Sequence, residues 1–159
     1  MPGVWVFPGG AVDADDLGDE EAAHRACAVR ELHEEAGIEL EADPGLVAWS
    51  RWITPEMVPV RFDTRFYVAL APAHSPPRPD GAETTDPAWE SPRRALDRLA
   101  AGDLKLVFPT IKHLEGLLPY KSAEEVLSAA RDRVVEPILP RVVQGDGEQR
   151  VVLPGEPGY

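Results

Sequence analysis

The chain has 159 residues, the length of one domain, and 43% of them are hydrophobic, enough to build a core. Its net charge of -12 excludes the basic face that nucleic-acid binding requires, and its single cysteine, Cys27, excludes an internal disulfide and fits a reducing, cytoplasmic setting. No apolar run approaches the roughly 18 residues of a membrane span, and no signal-like segment opens the chain, so no membrane partner is expected.

In chain order, Val4-Trp5-Val6-Phe7 reads as a short strand stopped by Pro8-Gly9-Gly10. Gly9 and Gly10 are expected to turn the chain with a positive backbone angle. An acidic loop with Asp13, Asp15 and Asp16 follows. From Asp19 to Gly37 the residues are mostly strong helix formers. Asp19 suits the N-cap, Glu20 and Glu21 suit the positive end of the dipole, and Gly37 suits the stop. Leu46 to Ile53 and Val60 to Ala71 read as strands. The second alternates Phe62, Thr64, Phe66, Val68 and Leu70 against Asp63, Arg65, Tyr67 and Ala69. Pro72 to Ala82 reads as a proline-rich loop. Helices are predicted over Pro92 to Ala101, Thr110 to Leu117 and Ser122 to Val134, the last opened by a Ser122/Glu125 capping box. Arg150 to Leu153 reads as a final strand, and Pro154 to Tyr159 as a tail.

The chemistry concentrates in Arg30-Glu31-Leu32-His33-Glu34-Glu35-Ala36-Gly37-Ile38. On a helix, Glu31, Glu34 and Glu35 fall at i, i+3 and i+4 and share a face, with Ala22, Ala26, Val29, Leu32 and Ala36 opposite. Like charges on adjacent turns repel, and a hard cation such as Mg²⁺, which takes oxygen ligands, relieves that repulsion. A solvated acidic face is the plainer reading of the same pattern.

The context of this run resembles the Nudix box, which opens on a glycine and closes on Arg-Glu, an aliphatic residue, any residue, Glu-Glu, any residue, Gly and an aliphatic residue. Gly10 and Arg30 to Ile38 supply both ends. The chain departs from the pattern between them, where nineteen residues separate Gly10 from Arg30, more than the family's usual spacing. The role of the box's first glutamate is therefore open among Asp13, Asp15, Asp16, Glu20 and Glu21. Counted from Gly10, its position falls on Asp16, and counted back from Arg30 it falls on Ala22. An expanded loop, Gly3 followed by Phe7-Pro8-Gly9-Gly10, Trp52-Ile53-Thr54-Pro55, Arg61 to Phe66 and Trp89-Glu90-Ser91-Pro92 resemble the coenzyme A and acyl-coenzyme A diphosphatase branch.

That resemblance implies a mixed sheet between helices, an α/β/α sandwich, over a single domain of residues 1–159, with the box at 10–38 and a helical extension at about 105–159. It implies hydrolysis of a pyrophosphate bond, with Mg²⁺ or Mn²⁺ on Glu31, Glu34 and Glu35. Glu31 is either a ligand or the group that activates water, and Glu83 on a later loop is the rival base. Arg30 is expected to orient a neighbouring glutamate through a bidentate pair. Gly10, Arg61 and Arg65 are the candidate substrate contacts. The two arginines share a face of one strand. The substrate class is a small diphosphate: coenzyme A or its acyl esters, or else ADP-ribose or a nucleotide sugar. A Nudix-derived module that binds without turnover is the rival class. The family normally places a strand or hairpin before the box glycine. Nine residues precede Gly10 here, so the sheet is expected to lack its N-terminal strand or strands, leaving an edge on which a second copy of the chain is a candidate partner.

Among the remaining residues, His33 is expected to pack and His24 to face solvent. Cys27 has no base within sequence reach and is expected to be inert. Trp5, Trp49, Trp52 and Trp89 are expected in the core or at subunit contacts.

Overall fold

The computed structural model describes residues 3–40, 45–78, 87–145 and 148–159. Its elements are α1 (Glu20–Ala36), β1 (Val47–Ile53), β2 (Asp63–Val68), α2 (Pro92–Ala101), α3 (Phe108–Leu117), α4 (Ala123–Arg131), β3 (Pro137–Ile138), β4 (Arg141–Gly145) and β5 (Glu148–Val152). The expected mixture of helices with a mixed sheet is present. The chain divides into two compact units, Met1–Leu46 with Ala69–Leu127, and Val47–Val68 with Ser128–Tyr159.

The first unit holds α1, α2 and α3 and the start of α4. Helix α1 begins where the Asp19 carboxylate accepts the Ala22 N–H at 2.9 Å, satisfying one of the unpaired donors of the first turn. It ends at Gly37, whose φ of 62° is the left-handed conformation that glycine adopts without a Cβ clash, and whose N–H closes on His33 O. Helix α2 is bounded by the Ser91 hydroxyl, which accepts from Arg94 N, by Pro92 in the first turn, and by Gly102 at φ 80°. Helix α4 starts as its capping pair dictates: Ser122 Oγ accepts the Glu125 N–H at 3.3 Å, while the Glu125 carboxylate reaches back to Lys121 N at 2.8 Å. Helices α2 and α3 pack together, and their core is Ala95, Leu104 and Leu114, flanked by Trp5, Leu96 and Leu106.

The expected strand at Val4–Phe7 is not a strand. It is reduced to one parallel bridge, Trp5 to Leu106, with Trp5 N donating to Lys105 O at 2.8 Å. Pro8 lacks an N–H and ends the pairing at once. The segment is nevertheless anchored, since the Phe7 ring meets buried His113 edge to face at 6.0 Å.

The second unit holds the sheet, in the order β2-β1-β3. Strands β1 and β2 are antiparallel, with Arg51 opposite Arg65 and Trp52 opposite Thr64, and β3 runs parallel to β1. Strand β2 is shorter than the expected Val60 to Ala71. Arg65 to Val68 are all half-buried, so both of its faces are covered, and the alternation in its sequence does not produce one wet face. Trp49 and Trp52 are buried. The Arg133 guanidinium lies 4.0 Å over the Trp49 ring and donates to Trp49 O at 3.1 Å, which ties the segment after α4 to the middle of β1. Strands β4 and β5 form a separate antiparallel pair. Thus residues 105–159, expected as a helical extension, carry α3 and α4 and then three strands. Pro137 and Pro140 cannot continue a helix, and Val142, Val143, Val151 and Val152 favour extended backbone. The tail closes on this unit: Arg150 donates to Pro157 O at 2.9 Å, and Tyr159 donates to Leu139 O at 3.0 Å under the Arg141 guanidinium. Among the described residues no helix is long and apolar enough to cross a membrane.

Leu114 lies in the first unit's core and Val134 is largely exposed. Leu114→Ala should therefore lower stability by about 2–5 kcal/mol, whereas Val134→Ala should stay within about 0.5 kcal/mol of the parent. Urea unfolding of both variants checks this. Equal midpoints for the two variants would remove Leu114 from the core.

Candidate active site

The site is built by the segment running from Phe7 to Asp16 and by the second half of α1, all within the first unit. Gly9 N donates to the Glu35 carboxylate at 2.9 Å. Gly10 lies directly against Glu31: a Cβ built at this position would fall 2.1 Å from Glu31 Oε1. Neither glycine is among the positive-φ residues, so the expected left-handed turn is absent. Gly10 is required for the close approach of a carboxylate instead.

Arg30 organises the rest. Its Nε and Nη2 donate to the two oxygens of Asp16, at 3.2 and 3.0 Å. Nη1 donates to Glu31 Oε1 at 2.8 Å and to Glu34 Oε2 at 3.1 Å, and Nη2 also donates to Ala11 O at 3.1 Å. Asp13 lies 3.6 Å from Nη2. The bidentate pair expected with a glutamate is therefore made with Asp16, while the glutamates receive single bonds. The acidic loop closes around the Asp16 side chain, which is 3% exposed, through Asp13 N to Asp16 Oδ2 at 2.9 Å and Asp16 N to Asp13 O at 3.3 Å. The Arg30 guanidinium beside it holds the Asp16 carboxyl below the usual carboxylate range, and Asp16 and Glu31 in turn hold Arg30 still more firmly protonated.

Of the three glutamates, Glu31 is 13% exposed and Glu34 53%. Glu31 and Glu34 share Arg30 Nη1 as a donor, with Gly10 walling Glu31, and Glu35 accepts from Gly9 N. Among the described residues no three His, Cys, Asp or Glu side chains converge tightly enough to ligate one ion. The face predicted from helical spacing is thus present as a row of donors that are all oxygen, the chemistry a hard divalent cation takes, in an arrangement held by Arg30.

The other expected residues fall as follows. Glu83 lies outside the described residues. Arg61 precedes β2 instead of lying on it, and its Nε donates to Thr54 O at 3.1 Å. Arg65 is on β2, and both arginines belong to the second unit. Cys27 is buried, with Sγ 3.7 Å from Gly10 O and 3.6 Å from Arg30 Nη2. Burial and the Asp16 charge push its thiol up, which leaves it protonated and unreactive. His33 does not pack: although helical spacing places it on the side away from the acidic face, it is exposed on the last turn, 3.5 Å from Glu39. His24 is half-buried, its Nδ1 2.7 Å from Glu20 O. Trp89 is 61% exposed with its indole N–H given to Ser75 O, so it is not a core residue. Asp16 is the residue that spacing alone left unresolved. Its burial is the property that separates it from its four acidic neighbours; the count from Gly10 falls on it, while the count back from Arg30 falls on Ala22.

Comparison with known proteins points to one family. A family model described as NUDIX domain matches residues 1–109. The candidate nudix hydrolase 7 of Caenorhabditis elegans is 30% identical over 197 residues, covering all of this chain and 65% of that protein. The human acyl-coenzyme A diphosphatase NUDT19 is 25% identical over 167 residues, covering 74% of this chain and 44% of that protein. The chain thus spans less than two thirds of the length of either relative. Among solved structures, that of a NUDIX hydrolase from Alicyclobacillus acidocaldarius matches with a TM-score of 0.69 and 28% identity, over 80% of this chain and 81% of that one.

The two glycines separate in a substitution test. Gly10→Ala must displace the Glu31 carboxylate and should cost about 1–3 kcal/mol, the range of an overpacked contact. Gly9→Ala keeps the N–H donor and meets nothing within 4 Å, so it should stay within about 0.5 kcal/mol of the parent. Thermal unfolding of both variants measures the contrast, and similar losses in the two would mean that Glu31 does not press on Gly10.

Proposed function

The chain belongs to the Nudix family, and on that premise we propose that it hydrolyses the pyrophosphate bond of a small diphosphate substrate, with coenzyme A or an acyl-coenzyme A as the preferred class. The observation that carries this reading is the row Glu31, Glu34 and Glu35 on α1, braced by Arg30 and by the Gly9-Gly10 segment. The substrate class draws on the coenzyme A-like run Gly3 to Gly10 and on the similarity to the human acyl-coenzyme A diphosphatase.

Nudix hydrolases generally use divalent metal ions. Here Glu31, Glu34 and Glu35 would hold Mg²⁺ or Mn²⁺, which when bound neutralises phosphate charge and acidifies water. The protein's own residues do the rest. Gly9 N–H orients Glu35 by its hydrogen bond. Gly10 leaves room for the Glu31 carboxylate. Arg30 fixes Glu31 and Glu34 against their mutual repulsion. A carboxylate accepts the proton of the attacking water, and Glu31 and Glu83 are the two candidates. Attack on the diphosphate of coenzyme A consumes one water and releases 3′,5′-ADP and 4′-phosphopantetheine.

Three measurements test this reading. Glu34→Gln and Glu35→Gln should each lower Mn²⁺-dependent turnover by at least about 100-fold, since even outer-shell changes cost 10- to 100-fold. Undiminished turnover in excess EDTA would contradict the role of these residues. Glu83→Gln should lower kcat by about 10²- to 10⁴-fold with KM little changed if Glu83 is the base. Retained activity in that variant, with loss in Glu31→Gln, assigns the base to α1. In a panel of coenzyme A, acyl-coenzyme A, ADP-ribose and NADH, faster hydrolysis of ADP-ribose than of any coenzyme A compound would overturn the substrate class while leaving the reaction type in place.

A further inference from the structure

We propose that an open apolar groove beside Trp89 holds the acyl chain of an acyl-coenzyme A substrate. This rests on the reading of coenzyme A compounds as the substrate class. The groove has a volume of about 740 Å³ and lies within the first unit. That volume is in the range of small-molecule sites. Leu70, Pro72, Pro76 and Trp89 line it together with three alanines, and His74 and Ser75 are its polar members. Among its described lining residues there is no Lys, Arg, Asp or Glu, although the whole chain carries a net charge of -12. Trp89 is 61% exposed and Leu70 47%, so large apolar side chains face water here.

The wall of the groove is held in place without an occupant. The indole N–H of Trp89 donates to Ser75 O at 2.8 Å, which uses the one donor of that side chain and leaves its ring faces to offer. Pro72, Pro76 and Pro77 fix φ along the same segment, so little backbone freedom is left to lose on binding. The segment then runs to Arg78, whose N donates at 2.7 Å to the carbonyl of Ala36, the last residue of α1 and the one after Glu35. Ser75 and Arg78 are three residues apart, a reach of at most about 11 Å. The groove thus begins a short step beyond the end of the glutamate helix. In an acyl-coenzyme A the pantetheine arm separates the acyl group from the diphosphate, so a diphosphate on the glutamate row leaves the chain to a neighbouring place. The neutral lining selects between the two ends of the substrate. The phosphates of the nucleotide end call for arginine or lysine, and an anion in an apolar place without one is costly. An acyl chain calls only for apolar surface.

The test compares kcat/KM for acetyl- and octanoyl-coenzyme A, with Mn²⁺, in the parent chain and its variants. A fully buried methylene is worth about fourfold in affinity, so a partly covered octanoyl chain should be favoured in the parent by at least about 10-fold, chiefly through KM. Trp89→Ala should remove most of that ratio. Trp89→Phe, which keeps an aromatic face, should retain most of it, and Leu70→Asn should lower it from a second position. Another measurement needs no turnover. Octanoyl-pantetheine, which lacks the nucleotide and the diphosphate, should shift the Trp89 indole N–H signal, identified by its absence in Trp89→Phe, and acetyl-pantetheine should not. A parent ratio near one, an unchanged ratio in Trp89→Ala, or an indole signal indifferent to octanoyl-pantetheine would each overturn the proposal. A KM raised equally for coenzyme A and both esters in Trp89→Ala would give the ring to the adenine, and loss of a dimer with the ratio intact would give it to a second copy of the chain; either overturns the acyl assignment. A parent that hydrolyses ADP-ribose but no coenzyme A compound defeats the substrate class itself, and the proposal with it.

Discussion

Arg30 lies between 2.8 and 3.6 Å from the carboxylates of Asp13, Asp16, Glu31 and Glu34. That crowding is the constraint from which the rest of the site follows. Four acids cannot share so small a space without a cation among them, and a guanidinium suits the task because it carries five N–H donors in a rigid fork and stays charged at any ordinary pH. The fork has two working edges. One grips the acidic loop at Asp16, and the other steadies two glutamates of the helix. A lysine, with a point charge on a flexible stem, supplies no second edge.

The loop and the helix are thereby joined over a gap in sequence that the family does not usually have. The backbone before the loop completes the join. Trp5 pairs with the segment before α3, Phe7 rests on His113, Gly9 reaches Glu35, and Gly10 lies flat against Glu31. Each contact is modest alone. Together they bring a segment with almost no regular structure into register with α1, and the extra residues of the box loop are accommodated by folding the chain back around one buried aspartate.

Much of this was legible in the sequence, for identifiable reasons. Helix α1 is bounded by residues whose side chain or backbone freedom suits its two ends, Asp19 and Gly37, and α2 is enclosed between Ser91-Pro92 and Gly102 in the same way. The glutamate row follows from helical spacing alone. What could not be read depends on tertiary contacts. Whether Asp13, Asp15 or Asp16 meets Arg30 is decided by how the loop folds. Val4 to Phe7 has the composition of a strand, yet pairs at one residue because Pro8 follows immediately. Strand β3 is two residues long, Pro137–Ile138, with Pro140 close behind, where local pattern carries little signal, and it exists only through its pairing with β1. The expected positive backbone angle at Gly10 was wrong in mechanism. The glycine is needed for proximity to Glu31, which no local rule reveals.

The central claim is that a divalent ion binds where α1 and the Gly9 to Asp16 segment meet. Paramagnetic broadening by substoichiometric Mn²⁺ in the ¹H–¹⁵N spectrum of the protein tests it most directly. The account predicts that the first amides to vanish are those of residues 9–16 and 30–37, while amides of β4, β5 and the tail persist. Broadening centred on another acidic stretch, such as Glu124-Glu125, with residues 30–37 unaffected, would contradict it.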